Sequence, residues 1–292
     1  MDPTNPVGTS YYRLVAQIDQ NGKLHFTETN AYSGNNGRAA IWNNAGGANV
    51  VYMAGKGGNS GNPQPVGVIV GTGAQILTPE NRELADQTPG TPTPVGSFNI
   101  TQLPEPADKT GKDTNFRGLT IFNNVLYYTK GSGGNGVNTV YFVDSTGSVC
   151  TDTNGIGVPA TGAMLPTSPL AYDPDPAVIK QKGLIPNNMC ILNGFPRALK
   201  STTSFPFGIW FASAATLYVA DEGNGTIGKN IGDFYLPAKM QTTAGLQKWI
   251  LVNGQWQLAY TSTAGLNLGI PYTVPGYPTG NNSGIPGATG FP

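Results

Sequence analysis

Short apolar runs with a period of two recur along the chain, broken by Gly, Pro, Asn and Asp. That alternation predicts many brief strands joined by tight turns. Three stretches align with one another: GRAAIWNNAGGANVVYMAGKGG (37–58), RGLTIFNNVLYYTKGSGG (117–134) and FGIWFASAATLYVADEGNG (207–225). Each sets a Gly beside an apolar strand, then a turn, a Val/Leu-Tyr strand and a Gly-rich loop. Tyr52, Tyr127 and Tyr218 fall in equivalent places, 75 and 91 residues apart.

Each unit is expected to add two further strands. In the third these are Leu246–Val252 and Gln255–Thr261, linked by Asn253-Gly254, a strong two-residue hairpin signal. In the second they are Thr139–Asp144 and a strand near Met189–Leu192. In the first they are Val66–Val70 and Phe98–Gln102. Four antiparallel strands per unit is the pattern of a propeller blade. Units this long exceed the usual ~40–50 residues per blade, which predicts insertions. Two short helices are expected within them, one from Thr78-Pro79 in TPENRELADQ and one over Asp175–Gly183.

YYRLVAQID and KLHFTETNAY, joined by Asn21-Gly22, read as the last two strands of a preceding blade. The expected architecture is all-β, a partial β-propeller of about three and a half four-stranded antiparallel blades. A half blade covers residues 10–32, and blades cover 37–103, 113–195 (with an insertion) and 205–263. A Gly/Pro-rich tail, 264–292, is a candidate start of a missing blade. Because propellers use about 4–8 blades, the chain reads as a fragment of a longer protein.

Composition narrows the function classes. Charged residues make up 11% of the chain, with 16 basic and 16 acidic, and no Lys/Arg cluster forms a stripe. A nucleic-acid partner is therefore not expected. Apolar runs fall far short of the ~20 residues of a membrane helix, and no polybasic amphipathic segment occurs, so no membrane partner is expected. Low charge with abundant Asn, Thr and Gly suits an extracellular or periplasmic protein. Sequons at Asn99, Asn224 and Asn281 are compatible with export. Met1 is followed by DPTNPVGTS, which has no signal-peptide character, so the expectation is that the natural start lies upstream. Cys150 and Cys190 either pair as a disulfide, the favoured reading, or stay as separate thiols.

Several chemistries are disfavoured. The one histidine, His25, sits on an alternating strand and reads as a plain strand residue, which removes polyhistidine metal sites. GSGGNG (131–136) matches a dinucleotide fingerprint, but a strand follows it where a helix is required. Tyr127, Tyr128, Trp210, Trp249 and Trp256 could stack sugars, but alternation turns half of them into the core between blades.

TLYVADEGNGTI (216–227) resembles the core of an NHL-type repeat. NFRGLTIFNNVLYYTKGSGGNGVNTVYFVD and the units together resemble a group of uncharacterised bacterial secreted propeller proteins. Those resemblances imply a fold and export but no activity. In such a meander the second-to-third-strand loops and the inter-blade loops open on one face. That face gathers Arg38, Lys56, Asp113, Arg117, Lys130, Asp221 and Glu222. Two functions from different classes follow. One is a non-catalytic module binding a glycan, peptide or protein there, with no cofactor. The other is a lactonase-type hydrolase with Asp113, Asp221 and Glu222 around a Ca²⁺-like ion. A fragment without function of its own is the third reading.

Overall fold

A computed structural model describes residues 13–29, 37–56, 74–80, 82–83, 95–97, 115–131, 137–149, 155–168, 189–197, 204–224, 239–268, 270, 272–273 and 289–290. The chain is all-β. A hairpin, β1 (Arg13–Ile18) and β2 (Leu24–Thr29), comes first. The first sheet is a meander of β3 (Gly37–Asn43), β4 (Val50–Gly55), β5 (Gln75–Leu77) and β6 (Val95–Ser97). The second runs β7 (Phe116–Phe122), β8 (Val125–Lys130), β9 (Thr139–Val143), then β11 (Met189–Leu192), with β10 (Ile156–Gly157) added in parallel outside it. The third is β12 (Pro206–Ser213), β13 (Thr216–Asp221), β14 (Gly245–Val252) and β15 (Gln255–Ser262). A short pair, β16 (Tyr272–Thr273) and β17 (Thr289–Gly290), lies near the C-terminus.

Turn chemistry sets these hairpins. Asn123 and Asn124 take φ of 48° and 60°, and Asn253 and Gly254 take 50° and 75°. Two successive positive φ values match the right-handed twist of the flanking strands, and Asn and Gly tolerate them best. The four strands expected in the second and third units are all present, and β10 is an unexpected fifth. In the first sheet the place beside β4 is held by Gln75–Leu77 and the next by Val95–Ser97. The expected strands Val66–Val70 and Phe98–Gln102 lie outside the described residues.

One expected helix is corrected. No helical turn begins at Thr78. Instead Arg82 pairs backbone to backbone with Phe26, N–H to O at 2.8 and 3.3 Å. Its guanidinium reaches the fully buried Glu28 at 3.2 Å. A buried carboxylate needs a cation and a sheet edge needs a partner, and one residue supplies both. The other expected helix, 175–183, lies outside the described residues.

The sheets stack through their first strands: β7 packs against β3 on one side and β12 on the other. Register makes Tyr52, Tyr127 and Tyr218 equivalent, each three residues before the residue paired across the start of its sheet. Tyr52 faces the second sheet with Val50, Leu126, Tyr128 and Tyr141. Its hydroxyl accepts from Asn43 Nδ2 at 3.0 Å and donates to the Pro166 carbonyl at 2.5 Å. Tyr127 faces the third sheet with Phe142, Phe211, Trp249 and Trp256. Tyr218, on the open side, stacks on Trp210, which is 60% exposed. The hairpin covers the remaining face of the first sheet, Val15 meeting Val51, Met53 and Leu77. Tyr127, Tyr128, Trp249 and Trp256 are thus core residues and Trp210 is not.

Backbone passes closest where β7 meets β12. A Cβ on Gly118 would overlap the Phe207 carbonyl oxygen. Gly118→Ala is expected to cost about 1–3 kcal/mol, seen as a lower urea midpoint. Gly208→Ala, whose methyl would meet only the Ala220 Cβ at 3.5 Å, is expected to cost no more than about 0.5 kcal/mol. Equal losses would mean that the close approach does not set the cost.

Candidate functional site

Each of the three meanders begins with a bulge in its first strand, and the bulges are equivalent. The register shifts between Gly37 and Ala39, between Phe116 and Leu119, and between Pro206 and Gly208. An extra residue bends the strand and re-aims its side chain. The residues so placed are Arg38, Arg117 and Phe207, on the strands that stack at the centre.

These three and one carboxylate form a cluster. The Arg117 guanidinium lies over the Phe207 ring, 5.1 Å from its centroid. Its Nε donates to the Gly131 carbonyl at 3.0 Å, and its Nη2 stands 3.6 Å from Glu222 Oε2. Arg117 is buried while Glu222 is 41% exposed at its side chain. Arg38 is half-buried, and its Nε is buried without a hydrogen-bond acceptor. Burial holds the Arg38 and Arg117 guanidiniums below the ordinary arginine value. The Arg117 charge lowers Arg38 further, and Glu222 offsets part of each shift. Among the described residues, Glu222 is the partly exposed carboxylate whose charge acts on both guanidiniums, and guanidiniums at a partly open edge suit the recognition of an anionic group.

The other expected face residues divide. Asp221 is buried and fully engaged: it accepts from Phe205 N, Gly223 N (2.8 Å) and Ser204 Oγ (3.1 Å). Those bonds fasten the turn after β13 to the approach of β12, so Asp221 organises the loop. Lys130 is completely buried, its Nζ donating to Asn138 Oδ1 at 3.2 Å. Lys56 is half-buried one residue past β4. Asp113 lies outside the described residues, so the expected carboxylate trio is not on view as a set. Among the described residues no three His, Cys, Asp or Glu side chains converge as a metal site. Cys190 is fully buried on β11 and carries no free thiol, while Cys150 lies outside the described residues.

Phe207, Gly118 and Thr129 were not among the expected site residues. Gly118 donates its N–H to Thr129 Oγ1 at 2.9 Å, and that hydroxyl donates to the Phe207 carbonyl at 2.6 Å. The Gly beside each first strand is the sequence signal of the bulge that sets them. No protein-family model, curated protein or solved structure matches the chain.

Burial is the largest influence on Asp221 and pushes its carboxyl up, against the hydrogen bonds that lower it. A raised folded value means the stability tied to this group is complete below 3.8 and declines as pH rises through the raised value. The wild type is therefore expected to gain on Asp221→Asn as pH falls from 7 toward 4, in urea midpoints taken side by side. Asp221→Ala, which strands two N–H groups, is expected to lose about 2–3 kcal/mol at pH 7.

Proposed function

We propose that the chain is an exported, non-catalytic binding module of partial β-propeller type that recognises an acidic group of a glycan or peptide at Arg38, Arg117 and Glu222. The observation that carries this reading is the equivalence of the three bulges. A repeated backbone device brings two guanidiniums and an aromatic ring together at one end of the first strands. Loops and strand ends on a rigid scaffold commonly carry binding. Arg38 Nε is buried without a hydrogen-bond partner, and such a donor calls for an acceptor. The repeat pattern and the stacking of successive meanders through their first strands support the propeller reading. Low charge and three sequons support export.

Digalacturonate and a short oligoglutamate, each set against a neutral counterpart, test the site by isothermal titration. Acidic ligands are expected to bind in a salt-dependent manner, and Arg38→Ala is expected to weaken them about tenfold or more. Arg38→Lys is expected to recover part of the loss, since it keeps charge without the guanidinium fork. Neutral and acidic ligands binding equally, or Arg38→Ala binding as the wild type does, would refute the assignment.

Export also implies that Cys150 and Cys190 pair. Alkylation of the unfolded chain without reductant is expected to leave its intact mass unchanged, and after reduction to add two labels.

A further inference from the structure

Trp42 stands at the other end of β3 from Arg38, and it opens a second site. Its indole is 49% exposed, whereas Val51, Tyr52, Met53, Ile76 and Leu77 of the same sheet are buried. The ring is not loose: Nε1 donates to Asn49 Oδ1 at 3.1 Å, across the β3–β4 turn. It forms one wall of a cleft of about 330 Å³ between the first sheet and the β1–β2 hairpin. Gln17, Asp19 and His25 line the hairpin side, and Asn49 and Glu80 complete the rim. Gln17 and His25 are paired neighbours on β1 and β2, so their side chains leave the hairpin on the same side.

Two features mark this cleft as built for a ligand. An aromatic face held flat by its own hydrogen bond is a platform for the C–H side of a ring. The polar groups around it are mixed donors and acceptors. Among them His25 Nδ1 is buried with no hydrogen-bond partner. Leaving a buried polar atom unsatisfied is unfavourable, and such atoms in native structures call for an explanation. Among the described residues that line the cleft, Asp19 and Glu80 are the charged ones. Asp19 already accepts the amides of Asn21 and Lys23 at 2.8 and 2.9 Å. Glu80 meets Arg82 Nε at 2.6 Å. They are held in place, acidic, and able to accept hydroxyl hydrogens through remaining lone pairs.

We infer that this cleft binds a neutral saccharide ring, stacked on Trp42 and hydrogen-bonded through its hydroxyls to Gln17, His25, Asn49 and Glu80. Its volume suits one or two such rings, at the small end of ligand sites. The acidic rim disfavours a uronate or sulfated sugar, which is the opposite selectivity to that proposed for the arginine cluster. The two sites therefore stand or fall separately.

The test is a titration of the full chain with methyl α-glucoside, methyl α-mannoside, methyl β-galactoside, N-acetylglucosamine and glucuronate, followed by tryptophan fluorescence and saturation-transfer NMR. At least one neutral sugar is expected to bind saturably at millimolar concentration with a fluorescence change, and glucuronate at least fivefold more weakly. Trp42→Ala is expected to abolish binding and the fluorescence change. Gln17→Ala and His25→Ala are expected to weaken binding about three- to tenfold, with far-UV circular dichroism unchanged. Gln17→Ala keeps the stacking wall and serves if Trp42→Ala fails to fold. Absence of saturable binding by every neutral sugar to 50 mM overturns the inference. So does binding that survives both Trp42→Ala and Gln17→Ala, or glucuronate binding as tightly as the neutral sugars. Arg38→Ala is expected to leave neutral-sugar binding unchanged.

Discussion

Everything central in this protein depends on how closely β7 can approach β12. Two sheets normally keep side chains between them, about 10 Å apart. Here Gly118 and Gly131 remove the Cβ atoms, and the Phe207 and Pro206 carbonyls move into the space. A buried carbonyl brought this near a neighbouring strand must be given a donor. Thr129 supplies it, donating to Phe207 while accepting from Gly118. One hydroxyl thus ties the two bulges together. It also fixes Arg117 above the Phe207 ring and within reach of Glu222. Remove the approach, and the sheets would still be meanders, but their bulges would no longer share a site.

The same strand period distributes the core. Along β8, Leu126 and Tyr128 turn to the first sheet while Val125 and Tyr127 turn to the third. A middle sheet is therefore apolar on both faces, which explains why β8 and β9 are buried throughout. The first sheet is covered on both faces too, by the second sheet and by the hairpin, whereas the third has one such face among the described residues. Tyr218 holds the same register as Tyr52 and Tyr127 but has no sheet over it among the described residues. It stacks on Trp210 instead, with Leu246 and Tyr260 half open beside it. The repeat specifies a stacking surface whether or not a neighbour occupies it.

This regularity is why so much of the fold was legible from the sequence. Alternation, the Asn-Gly turns and the recurring Tyr located the first hairpin of all three units and the second hairpin of the third. It failed where tertiary contact outweighs local preference. Thr78-Pro79 is a good helix start by local chemistry, yet the chain there serves the buried Glu28 and the edge of β2 through Arg82. In the first unit the true third strand, QIL, is too short to stand out against the apolar run VGVIV nearby. Topology proposed one face for the loop charges, but topology carries no information on burial. It could not tell that Lys130 and Asp221 are committed to the scaffold while Arg38 and Glu222 stay partly open.

His25 shows the same limit from the other side. By alternation it is an ordinary residue of a solvated strand, and nothing in the sequence joins it to Trp42. What joins them is the docking of the hairpin, through Val15, on Val51, Met53 and Leu77. That contact is small, and it brings a polar strand face opposite the one exposed tryptophan of the first sheet. A purely structural contact would be expected to bury Trp42 and to give His25 Nδ1 a partner, because both changes are favourable. The structure does neither, and instead the indole N–H donates to Asn49, which holds the exposed ring in place. Rigid apolar surface beside an unsatisfied polar atom is a poor way to stabilise a hairpin and a good way to prepare a cleft for a ring with hydroxyls.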